Sequence, residues 1–200
     1  MPTSPLLRAH DLPQRLRAET ADLHRAVEAS TGLPASVRTL DDYVRVLIRF
    51  LGFHRQAMIA LRDPRWAEQW APLGIELDRH DRTPHLRSDL DRLGKTAPDD
   101  ETVPLDIDSF GAALGCLYVV EGSALGGRML ATAVRETLGE VPLSFFAGDG
   151  RAHPLPWRTT QAALRIYEAT DGDDDLVLAG AVATFSAFER IVATPDGAVA

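Results

Sequence analysis

The stretch Leu117-Tyr118-Val119-Val120-Glu121-Gly122-Ser123-Ala124-Leu125-Gly126-Gly127-Arg128-Met129-Leu130 reads as a helix that carries three glycines within six residues. Each interior helical glycine costs about 0.8–1 kcal/mol relative to alanine, so together they cost roughly 2.5–3 kcal/mol, against a net domain stability of about 5–15 kcal/mol. Something must offset that loss. Glycines keep side chains out of the way so that another body, a second helix or a flat ligand, can lie against the backbone.

The rest of the chain is also patterned for helices. Asp11 is placed to cap a first helix, with Pro13 in its first turn and an apolar stripe at Leu12, Leu16, Leu23 and Val27; Gly32 and Pro34 end it. Thr39 and Asp42 form a capping-box pattern ahead of Tyr43, Val44, Leu47, Phe50, Leu51, Met58 and Leu61, and Asp63-Pro64 stops that helix. Thr83 and Pro84 open a short helix through Leu86, Leu90 and Leu93, closed by Gly94. The glycine-bearing helix spans about Ser109 to Leu138 and is expected to bend at its glycines. Trp157, Leu164 and Tyr167 mark another helix, and Asp173 to Asp175 precede a last one through Val182, Phe185, Phe188 and Val192. No alternating strand pattern and no internal repeat occur. The spacing predicts an all-α, single-domain bundle over residues 1–200, with flexible tails at 1–10 and 194–200.

Composition narrows the function. With 45% hydrophobic and 25% charged residues the chain has the make-up of an ordinary globular protein. A net charge of −8 argues against nucleic acid or an anionic membrane as the main partner. No consecutive apolar run approaches the roughly eighteen residues that span a bilayer, and the N-terminus has no signal-peptide pattern, so a cytoplasmic location is expected. The single cysteine, Cys116, excludes an internal disulfide and reads as packing. Lys95 is the only lysine, so arginine supplies nearly all the positive charge, a residue suited to bidentate carboxylate recognition.

Six histidines are present, and no Glu-x-x-His or His-Glu-x-x-His occurs, which removes the signatures of a di-iron carboxylate bundle and a zinc protease. His24 lies beside the buried stripe of the first helix, with Thr20 one turn before it and Glu28 one turn after. Two readings of the pair stand: a half-buried histidine in a surface ion pair, or a metal ligand whose second ring nitrogen is held by a carboxylate. Arg17 sits two turns before His24 on the same face, about 10 Å along the axis. His54 on the second helix reads as core or boundary packing; His80 and His85 flank a turn, and His10 and His153 lie in loops.

Together these pieces resemble the biliverdin-producing heme oxygenases. Leu16 to Glu28, with Thr20, His24 and Glu28 at the family's spacing, looks like the proximal helix. Leu117 to Arg128 looks like the distal helix in its bacterial form, Tyr-Val-x-Glu-Gly-Ser-x-Leu-Gly-Gly. Weaker matches are Arg82 to Gly94, and Phe145-Phe146 with Gly150 and Trp157; the resemblance covers about residues 12–193.

The resemblance implies a helical bundle holding heme b, at once substrate and cofactor, between proximal and distal helices, with His24 as axial iron ligand. It implies cleavage of the ring to biliverdin, carbon monoxide and ferrous iron by dioxygen and external electrons, from a ferredoxin or flavoprotein reductase. Gly122, Gly126 and Gly127 would let the distal backbone approach the porphyrin. Ser123 stands where animal members place an aspartate; a hydroxyl holds a water but supplies no charge, so the proton relay would fall to backbone near Gly122 and to water. Arg17 is the expected propionate anchor, Arg158 or Arg165 a second, and Phe185 a pocket residue; Arg8, Arg15 and Arg25 are candidates for a donor-docking patch. A heme carrier or sensor of the same fold, and a helical interaction module whose glycines serve close packing, are the competing readings.

Overall fold

The computed structural model describes residues 11–96, 105–148, 154–170 and 172–193. The tails expected at 1–10 and 194–200, and with them Arg8, His10, Gly150 and His153, lie outside the described residues. All regular structure among the described residues is helical: α1 (Leu12–Glu19), α2 (Ala21–Thr31), α3 (Leu40–Leu61), α4 (Thr83–Arg92), α5 (Phe110–Ser123), α6 (Gly127–Leu138), α7 (Ser144–Ala147), α8 (Pro154–Ala169) and α9 (Asp174–Ala193).

Two helices that read as continuous in sequence are divided. Thr20, at φ −102° and ψ 3°, separates α1 from α2. Its hydroxyl donates to the Leu16 carbonyl at 2.7 Å, a back-bond of the kind that bends helices. The glycine-bearing stretch tightens between α5 and α6, where Ala124, Leu125 and Gly127 each donate to the carbonyl three residues back, at 3.3, 3.2 and 3.1 Å. The expected bend is therefore an overwound turn.

Local chemistry sets the ends. The Thr39–Asp42 capping box opens α3, and Gly32, at φ 62°, closes α2 in the left-handed conformation glycine adopts at least cost. The connection after α3 is three short 3₁₀ turns, and the Trp66 and Trp70 indoles both donate to the Leu61 carbonyl at 3.1 Å, satisfying an orphan group of the α3 C-terminus. The short α7 is held from α4: the fully buried Asp89 carboxylate accepts from Ser144 N (2.9 Å), Ser144 Oγ (2.6 Å) and Phe145 N (2.9 Å).

Helix α5 is the centre. Every residue from Gly111 to Glu121 is buried, because α3, α8 and α9 cover it on its several faces. Its crossing with α9 is closest at two glycines. A Cβ on Gly115 would lie 2.0 Å from the Val177 carbonyl oxygen, and one on Gly180 would lie 2.2 Å from the Ala112 carbonyl oxygen. The stretches 110–138 and 174–193 are long and apolar enough to cross a bilayer; 67% and 44% of the most apolar part of each is buried inside the bundle.

Candidate functional site

Helices α1, α2, α5, α8 and α9 enclose a cleft of about 700 Å³, within the range of small-molecule sites. Each helix contributes one face. From α1 and its cap come Asp11, Pro13, Gln14 and Arg17; from the bend and α2 come Thr20, Ala21, His24 and Arg25. Central α5 supplies Tyr118, Val119 and Gly122, with Leu125 just beyond it; α8 supplies Trp157, Gln161 and Arg165, and α9 supplies Phe185.

The His24 side chain lines the cleft and is 51% exposed, and Nδ1 stands 3.5 Å from Oε2 of Glu28 one turn on. The Phe185 ring meets the imidazole edge-on, centroids 6.1 Å apart at 78°, and so limits its rotation. Tyr118 and Trp157 face each other with centroids 5.5 Å apart. The Tyr118 hydroxyl pairs with the Thr20 side chain, and burial raises its pKa above the ordinary phenol range despite that bond and the nearby Arg17 charge. Arg17 has no carboxylate partner among the described residues, whereas Arg165 Nε lies 3.5 Å from Asp11 Oδ1.

The structure thus brings Arg17, His24, Gly122, Arg165 and Phe185 into one cleft, with Glu28 behind His24. It leaves out Ser123, Gly126, Gly127 and Arg158. Ser123 points off the cleft-facing stripe of α5, and its hydroxyl donates to the Val120 carbonyl at 2.7 Å. A Cβ on Gly126 would meet nothing within 4 Å, and one on Gly127 would strike the Phe146 carbonyl oxygen at 2.6 Å, so Gly127 serves the α6–α7 contact. Arg158 is one residue, about 100°, off the Trp157–Gln161–Arg165 face. Of the arginines expected to form a donor-docking patch, Arg15 pairs with Glu19 (2.8 Å) and Asp175 (2.6 Å), and Arg25 pairs with Asp22.

Sequence reading missed Asp11, Tyr118 and Gln161 as cleft residues. The last had a signal, since 157, 161 and 165 recur every four residues along one helix face. Tyr118 likewise shares a face with Gly122 and Leu125. Asp11 had none, because its partner is 154 positions away in the chain.

A heme oxygenase of Xanthomonas campestris pv. campestris (strain 8004) is 39% identical over 162 residues, covering 76% of this chain and 90% of that relative. The chain belongs to the heme oxygenase family. The crystal structures of the NO- and CO-bound heme oxygenase from Neisseria meningitidis superpose with a TM-score of 0.74 over 92% of this chain and 91% of that one. At 20% identity this likeness establishes the shared all-α fold. No family model matches the chain.

Proposed function

We propose that this chain cleaves heme to biliverdin, carbon monoxide and ferrous iron, with dioxygen and electrons from a ferredoxin or flavoprotein reductase. The observation that carries the reading is one cleft in which an exposed imidazole with a carboxylate behind it meets a glycine on the central helix. The residues fit a porphyrin: Tyr118, Trp157 and Phe185 offer aromatic surface, Arg17 and Arg165 offer guanidinium groups for carboxylates, and His24 offers a nitrogen for iron. When bound, heme supplies the centre at which dioxygen is activated.

The protein's own groups then do the positioning. The Glu28 carboxylate stands on the Nδ1 side of His24, so Nε2 would be the nitrogen that holds the iron. Phe185 holds the ring plane. Gly122 admits a flat ring against the backbone of α5, since among the described residues only Trp157, at 3.8 Å, stands near its missing Cβ. Among the described residues no carboxylate lines the cleft beside Gly122, because the Glu121 carboxylate is buried against His80 and the Ser123 hydroxyl is spent on its own helix. Protons must come through backbone groups and water near Gly122.

An absorption time course of the hemin-loaded protein under air, with ascorbate or a ferredoxin reducing system, tests this reading. Loss of the Soret band with growth of a broad red biliverdin band, absent in His24→Ala, is the expected result. A Soret band that survives every reductant would replace the enzyme with a carrier or sensor.

A further inference from the structure

We propose that Asp11 is a built-in competitor for the cleft's carboxylate site: it holds Arg165 until a carboxylate of the porphyrin displaces it. This rests on the heme reading above. Asp11 occupies the N-cap of α1 with extended backbone, yet its side chain makes no capping hydrogen bond. An aspartate there ordinarily accepts from an amide of the first turn. Instead its Oδ1 turns to Nε of Arg165 at 3.5 Å, an ion-pair distance without a formed hydrogen bond. The first amide of α1, Leu12 N, is met by Glu168 Oε2 at 3.2 Å, so α8 supplies both polar contacts at this end of the cleft.

Displacement needs no unfolding of α1. The Asp11 carbonyl accepts from Gln14 N and Arg15 N at 2.8 and 3.0 Å, which fixes the backbone while the carboxylate is free to swing. The pair is also weak, because at 3.5 Å it has no formed hydrogen bond and its Arg165 side is 52% exposed to water, although Asp11 Oδ1 itself is buried. A ring with two carboxylates meets the two cleft arginines in different states. Arg17 is available at once, and Arg165 only after exchange. The same competition acts on the product, which retains both carboxylates, and so favours its release. A ring without carboxylates leaves the Asp11–Arg165 pair intact.

Quenching of tryptophan fluorescence by metal-free protoporphyrin IX and by its dimethyl ester separates these states, since Trp157 lines the cleft. Asp11→Asn should tighten protoporphyrin IX by about three- to fivefold, the scale of one exposed charge pair, and leave the ester unchanged. The gain should vanish when Arg165→Gln is added. Tightening of both porphyrins alike, tightening that persists without Arg165, or no change would each overturn the proposal. A wild-type protein that binds neither porphyrin would overturn the heme reading itself, and this inference with it.

Discussion

Glu121 Oε1 stands 3.0 Å from Nδ1 of His80, with side chains only 1% and 2% exposed. Arg82 approaches the other carboxylate oxygen at 3.8 Å. The pair ties the last turn of α5, one residue before the cleft glycine, to the segment that leads into α4. It fixes where Gly122 can sit.

Removing one member of a buried pair leaves the other without compensation, which costs about 3–5 kcal/mol. Glu121→Ala is expected to lose that much in urea unfolding at pH 7. A loss under about 1 kcal/mol would show that the contact does not hold α5.

His54 gives a pH window. Its ring is fully buried against Phe53 and Phe145, and neither nitrogen has a hydrogen-bond partner among the described residues. Burial, reinforced by the Arg82 charge and partly offset by Asp81, pushes its pKa down to about 3, below the ordinary value of about 6.5. As pH falls, the unfolded chain therefore takes up the proton first. Stability from this site is full above about pH 6.5 and is lost progressively toward pH 3, with about 2 kcal/mol gone at pH 5. Urea unfolding of wild type and His54→Leu at pH 7.5 and 5.0 should show the wild type losing that much more than the variant. Parallel losses would refute the assignment.

The glycines separate by partner. Gly115→Ala is expected to destabilise by about 3 kcal/mol or more, because the new Cβ meets α9 backbone rather than a movable side chain. Gly122→Ala should leave unfolding within about 1 kcal/mol of wild type, since its only near neighbour among the described residues is Trp157 at 3.8 Å, while weakening hemin uptake by filling the cleft floor. Paired urea and Soret titrations read both effects, and a large stability loss in Gly122→Ala would contradict its placement.

Among the arginines, Arg17→Gln should weaken hemin binding by about tenfold or more, the scale of one charge-assisted hydrogen bond. Arg158→Gln, outside the cleft, should change it less than about twofold. Equal effects in the Soret titration would mean that the ligand lies elsewhere.

The all-helical fold was legible because helix periodicity, caps and breakers are local. Thr39 and Asp42 cap α3 as their spacing predicts, and Glu28 stands one turn from His24 on α2 because 3.6 residues make a turn. The same rule would have rejected Arg158 in favour of Arg165. The break at Thr20 was less legible, since a back-bonding threonine and an ordinary helical one read alike in sequence.

The sequence by itself determined where glycines fall, which histidine has a carboxylate one turn away, and that helices would form. Tertiary structure decided what each glycine serves: Gly122 the cleft, Gly127 the Phe146 carbonyl, and Gly115 the α9 backbone. It also decided that Asp11 faces Arg165 and that Glu121 faces His80. The physical reason is range. Turn geometry relates residues three or four apart, whereas these contacts join positions 19 to 154 apart, which only the packing of whole helices brings together.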